Sequence, residues 1–140
     1  MKRILCLLFL LSISCIGSED SIQAQSPKGK LFIIGGGDKP PDMLKRIIDE
    51  SGISEGGYAI ILPMSSTQPV ASALDAKALF NEAGLQDIFP LYCTVEDANS
   101  TAKADSIRHA KLVYMTGGDQ AIFMDIVEGT TIENAIHDAY

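Results

Sequence analysis

The chain predicts an α/β domain, with a mostly parallel sheet covered by helices on both faces. Apolar, β-rich runs alternate with stretches of helical periodicity from residue 28 onward. Runs such as Tyr58-Ala59-Ile60-Ile61-Leu62 are apolar at every position, as expected of a strand buried on both faces. Most of these runs end in glycine, proline or a short polar loop, and parallel neighbours need just such crossover connections.

The elements follow in order. Leu31-Phe32-Ile33-Ile34 reads as a first strand ending in Gly35-Gly36-Gly37-Asp38. Pro40-Pro41-Asp42 opens a helix whose Met43, Leu44, Ile47 and Ile48 form one apolar stripe, and Gly52 ends it. Residues 58–62 form the second strand, closed by Pro63 and the polar loop Ser65-Ser66-Thr67-Gln68-Pro69. A helix over residues 70–83 should turn Leu74, Ala78 and Leu79 inward and stop at Gly84. Residues 88–91 are the third strand, where Pro90 cannot donate to a ladder and so favours an edge or a strand end. A polar helix over 101–109 leads to a fourth strand at 111–115, and Ile122, Phe123, Ile126 and Val127 mark a short helix ending near Gly129. Thr130 and Glu133 have capping-box spacing, which starts a last helix with Ile132 and Ile136 inward.

Composition limits the function. The 140 residues are 46% hydrophobic and 21% charged, the make-up of one globular domain or part of one. A net charge of −7 without clustered Lys and Arg argues against nucleic acid as a partner. Residues 1–24 read as an export signal: Lys2-Arg3 is a positive start, residues 4–13 are an apolar core too short to span a bilayer, and small polar residues follow. Two cleavage readings stay open. Removal after Ala24 gives a soluble exported protein, periplasmic or extracellular, whereas processing before Cys15 leaves a lipidated cysteine as the sole membrane attachment. In both cases Cys93 stands alone, so no intramolecular disulfide framework is expected, and it reads as a small, partly buried residue at a strand end.

In parallel α/β sheets, sites gather at the carboxyl ends of strands. Three loops should therefore converge: residues 35–38, 63–68 and 116–120. The most informative of them is Leu112-Val113-Tyr114-Met115-Thr116-Gly117-Gly118-Asp119-Gln120, a buried strand that stops at two glycines and turns into a helix. Glycine there lets backbone N–H groups approach a ligand closely.

Three stretches carry a family resemblance: Ile33-Ile34-Gly35-Gly36-Gly37-Asp38, Leu62-Pro63-Met64-Ser65-Ser66-Thr67-Gln68-Pro69, and residues 107–120 through the diglycine turn. In this order they resemble the cyanophycinase branch of the cyanophycinase and aspartyl dipeptidase (dipeptidase E) family of serine peptidases, over essentially all of residues 28–140. The resemblance implies a class I glutamine amidotransferase-like (flavodoxin-like, three-layer) fold and hydrolysis of aspartyl peptides such as β-aspartyl-arginine units. No cofactor or metal is expected. It also implies that Gly118 and Asp119 offer N–H groups near an oxyanion and that Gln120 contacts substrate, with Gly117, Gly36, Gly37, Ser65 and Ser66 completing the oxyanion and substrate-binding set.

The departure from the family is as informative. Its small-x-Ser-x-Gly elbow and later histidine and acidic partner have no counterpart here, so no catalytic residue is expected in this chain and the nucleophile is expected beyond Tyr140. Residues 28–140 then read as the amino-terminal half of a peptidase-like domain, inactive alone, with residues 111–115 exposed as a free edge and prone to dimerise or aggregate. A non-catalytic exported binding module, or a decayed gene product, is the alternative.

Simpler readings exist for single motifs. Gly35-Gly36-Gly37 fails as a dinucleotide fingerprint because Pro40 occupies the third glycine position. Ser65 and Ser66 suit turn hydroxyls, Asp119 suits a helix cap, and His109 and His137 lack metal-ligand spacing. Asn99-Ser100-Thr101 matches a glycosylation sequon.

Overall fold

The computed structural model describes residues 29–140; the export segment 1–24, Cys6 and Cys15 lie outside the described residues. Three parallel strands form one sheet: β1 (Ala59–Leu62), β2 (Ile88–Pro90) and β3 (Leu112–Met115), in the order β2-β1-β3. Five α-helices flank them: α1 (Pro41–Ser51), α2 (Pro69–Glu82), α3 (Thr101–Arg108), α4 (Gln120–Val127) and α5 (Thr131–Ala139). The protein is thus α/β with a parallel sheet.

β1 is buried at all four positions because it has a ladder on each edge and helices on each face. Its side chains alternate between two cores, as a pleated strand requires. Ala59 and Ile61 pack with Leu44 and Ile47 of α1 and with Ala73, Ala76 and Phe80 of α2. Ile60 and Leu62 pack on the opposite face with Ile107 of α3, Val127 of α4, and Ile132 and Ala135 of α5. Chain direction explains which helix lies where. From β1 the chain steps outward to β2 through α2, then back past β1 to β3 through α3; two right-handed crossovers in opposite directions must use opposite faces. By the same rule α1, which shares α2's face, must be fed from the β3 side of β1, and residues 31–36 do lie beside β3.

Local chemistry sets the helix ends. Gly52 closes α1 at φ 68°, and Gly84, at φ 102°, closes α2 with its N–H on Asn81 O while Leu85 N–H reaches Phe80 O, a Schellman arrangement. Ser100 caps α3 by accepting from Lys103 N. Thr130 caps α5 by accepting from Glu133 N, and Glu133 Oε2 accepts from Gly129 N at 2.7 Å, one residue earlier than in a standard capping box. Asn99 Oδ1 also accepts from Thr131 N at 3.0 Å, tying the approach to α3 to the start of α5. Pro90 sits on an edge strand, where its missing N–H costs no ladder bond.

Two expectations are corrected. Residues 31–34 form no strand: Leu31 is 62% and Ile33 89% exposed, and the segment runs beside β3 without joining its ladder. Apolar content favours burial, but a strand exists only with a paired neighbour, and a cleft of about 510 Å³ separates this segment from the outer edge of β3 instead of a hydrogen-bonded ladder. The inward face of α2 also differs. Ala73, Ala76 and Phe80 are buried, whereas Leu74 and Ala78 face outward and Leu79 is half-buried. Phe80, packed edge-on against Tyr114 with ring centroids 5.0 Å apart, sets the rotation of the helix.

Candidate functional site

Two of the three expected loops are latched together at the carboxyl end of the sheet. The turn after β1 places Ser65 against the turn after β3: Ser65 Oγ donates to Thr116 O at 2.6 Å, and Asp119 N donates to Ser65 O at 2.8 Å. Ser65 and Thr116 are both buried. Gly118 makes this approach feasible. It holds φ +152°, and a Cβ there would fall inside the contact shell of Ser65 O and 3.0 Å from Ser66 N. Here a missing side chain is a structural requirement of the turn.

The first loop joins through a cleft. Gly35 and Gly36 share with Thr116, Gly117 and Gly118 the upper end of a cleft of about 510 Å³ that separates residues 30–36 from β3. Its walls are Leu31, Phe32 and Ile34 on one side and Leu112, Val113, Tyr114 and Met115 on the other. Burial in this apolar surrounding pushes the Tyr114 hydroxyl above its ordinary range, so it stays neutral at physiological pH. A second cleft of about 280 Å³ adjoins the lower end of the same gap, lined by Gly29, Ala110, Lys111 and Tyr140 among others.

The sequence-predicted residues divide into four groups. Gly36, Gly117 and Gly118 line the cleft, and among the described residues the N–H groups of Gly117 and Gly118 donate to no backbone carbonyl outside a helix or strand. Gln120 is exposed at the first turn of α4. Asp119, Ser65 and Ser66 are engaged within the fold. Asp119 Oδ1 accepts from Ala121 N at 2.8 Å as the cap of α4, and its own N–H is held by Ser65 O, which corrects the expectation that it faces an oxyanion. Ser66 Oγ accepts from Gln68 N at 3.1 Å, a turn hydroxyl. Gly37, at φ 100°, is exposed and does not line the cleft, so it serves the turn into α1 rather than a pocket.

No nucleophile is activated among the described residues. Burial pushes the Cys93 thiol up, against a smaller downward pull from Lys103, which is the opposite of what a reactive thiolate needs. Among the described residues neither histidine hydrogen-bonds a serine or cysteine side chain, and the Nδ1 of His109 lies 2.7 Å from Asp105 O within α3. No group of three or more His, Cys, Asp or Glu side chains converges as a metal set among the described residues, and none of their helices is long and apolar enough to cross a membrane. Sequence reasoning missed Thr116 as the partner of Ser65, and Leu31 with Phe32 as cleft walls. A hydroxyl directly after an apolar strand is a visible signal for the first; pairing across 51 positions is not.

These features define an α/β protein with a glycine-rich cleft at the carboxyl end of its parallel sheet. No protein-family model matches the chain, and no curated protein matches it.

Proposed function

We propose that this chain supplies the oxyanion-side half of a serine-type hydrolase resembling cyanophycinase, with a class I glutamine amidotransferase-like fold and aspartyl peptides of the β-aspartyl-arginine kind as substrates. The observation that carries the reading is the meeting of Gly35-Gly36 with Gly117-Gly118 at one end of a cleft that Lys30 and Lys39 also line, with exposed backbone and no charged group in the diglycine turn except Asp119, which caps α4. N–H groups held in place by a latched turn stabilise charge that develops in a transition state, because they need not reorganise as the reaction proceeds. Gly117 and Gly118 would face the oxyanion and Gln120 the substrate, while Ser65 holds the turn.

The attacking serine would come from an elbow at the end of a strand following α5, and its base from later in the chain. Tyr140 lines the lower end of the cleft, so a strand entering there and running beside β3 would arrive at the diglycine turn. The test is the coding sequence after Tyr140 and an assay of the chain extended by it on β-aspartyl-arginine and α-aspartyl dipeptides. Release of arginine that is lost when a glycine-flanked serine in that extension becomes alanine supports the proposal. A stop codon at that point, or an extension with no such serine, overturns it.

A non-catalytic exported binding module is the second reading. Its support is that the hydroxyls of Ser65 and Ser66 and the carboxylate of Asp119 are all engaged within the fold, which stabilises the turn without leaving a reactive group. Binding of an uncleaved aspartyl peptide by the extended chain would favour it.

A further inference from the structure

We infer that Lys39 determines substrate specificity: its ammonium, together with the N–H groups of Gly35 and Gly36, takes the carboxylate that an aspartyl substrate carries beside its scissile bond. The choice of substrate rests on the hydrolase reading above, whereas the anion site itself does not. Lys39 is half-buried and lines the same cleft as Gly35 and Gly36. It is absent from the lining of the lower cleft, so its charge sits toward the glycine turns rather than toward Tyr140. Among the other cations, Lys30, Lys45, Arg46, Lys103 and Arg108 each have a carboxylate within ion-pair distance, whereas Lys39 has none among the described residues. Lys77 lies over the Phe89 ring and Lys111 lines the lower end, both away from the glycine turns.

The nearest carboxylates in sequence do not neutralise it. Asp38 is exposed and makes no ion pair with Lys39, and Asp42 lines a separate charged patch with Lys45 and Arg46 on α1. An ammonium partly withdrawn from water without a counterion is unfavourable, and a bound anion offsets that penalty. The backbone beside it supplies directed donors. The N–H groups of Gly35 and Gly36 donate to no backbone carbonyl among the described residues, and no atom lies within 4 Å of where a Cβ would stand on either glycine. Exposed N–H groups next to a cation combine charge with direction, which is what a carboxylate needs. In a β-aspartyl peptide the free α-carboxylate, and in an α-aspartyl peptide the side-chain carboxylate, stand the same number of bonds from the scissile carbonyl carbon. One fixed cation therefore serves both. With Gly117 and Gly118 facing the oxyanion, Lys39 would hold the acyl side of the substrate from the opposite turn, and the strand proposed above would cover the apolar length of the cleft while leaving this end open.

The first probe is succinate, a dicarboxylate without a peptide bond, titrated into the purified chain at low salt and followed by the amide NMR signals of Gly35 and Gly36. Saturable shifts with a dissociation constant of about a millimolar are expected. Lys39→Gln, its folding checked by thermal melting, should weaken binding about tenfold, Lys39→Arg should restore it, and Lys77→Gln should leave it unchanged. In the chain extended past Tyr140, Lys39→Gln should raise KM for β-aspartyl-arginine about tenfold with kcat little altered, and both proteins should cleave the α-carboxamide analogue, which lacks the charge, equally well. Succinate shifts that are absent, or that persist unchanged in Lys39→Gln, overturn the inference. Hydrolysis by the extended chain with a KM indifferent to Lys39 also overturns it and leaves the hydrolase reading standing. An extended chain that hydrolyses nothing, while succinate still binds through Lys39, removes the hydrolase reading and its substrate and leaves the anion site standing.

Discussion

Gly118→Ala is the sharpest test of the latched turn. Gly118 has φ +152°, a region that costs a side-chained residue about 1–3 kcal/mol, and the new Cβ would collide with the backbone of Ser65 rather than with a side chain that can swing away. Relief requires the two turns to separate, which forfeits the Asp119 N to Ser65 O bond and another ~1 kcal/mol. The total is about 2–4 kcal/mol, or a fall in Tm of roughly 8–16 °C for a domain of this size. Gly117→Ala is the matched control: nothing lies within 4 Å of its Cβ and its φ is not positive, so it should be neutral or slightly stabilising. Urea and thermal unfolding followed by circular dichroism measure both. If Gly118→Ala unfolds no earlier than Gly117→Ala, the close approach of the two turns is not a feature of the folded protein.

Ser65→Ala removes the 2.6 Å donor to a buried carbonyl and should cost about 1–2 kcal/mol, with faster hydrogen exchange at Asp119, read by mass spectrometry. Ile132→Ala, fully buried where α5 meets α3, should cost about 2–5 kcal/mol by urea titration, whereas Leu74→Ala, 59% exposed, should stay within about 0.5 kcal/mol; comparable losses would mean that α2 is rotated. Burial raises the pKa of both Tyr114 and Cys93, so the fold favours their neutral forms. Their contribution is complete below the ordinary thiol and phenol values and is lost as pH rises through the raised ones, so stability should decline above about pH 9 to 10 in a pH series of melts. Tyr114→Phe should flatten the upper part of that decline.

Lysine 103 gives the opposite pH limb a physical basis. Its ammonium, hydrogen-bonded to Asp97 Oδ2 and to Tyr92 O, holds the Asp97 carboxyl below its ordinary range, and the backbone N–H of Thr94 adds to this. That contribution is present above the ordinary carboxylate value and disappears as pH falls below it. Because the pair is only partly buried and open to solvent screening, its loss in acid should be small beside that of the core.

The order of elements from residue 41 onward, the helix stops at Gly52 and Gly84 and the caps at Asp119 and Thr130 were legible in the sequence because they are local. A continuous apolar run such as residues 59–62 needs cover on both faces wherever it lies, Gly52 and Gly84 stop helices through their own backbone freedom, and Thr130 with Glu133 works within one turn. Tertiary structure decided what depends on neighbours. Residues 31–34 have the composition of a strand and yet form none, since pairing needs backbones at ladder distance and a cleft separates this segment from β3. Phe80 against Tyr114, not the hydrophobicity of Leu74, chose the buried face of α2. Likewise, the hydroxyl of Ser65 and the N–H of Asp119 looked free for a ligand in the sequence, but the crossovers bring their turns within hydrogen-bond distance and each group is spent on the other loop. Composition states which groups a chain has to satisfy; only the packed arrangement states with what.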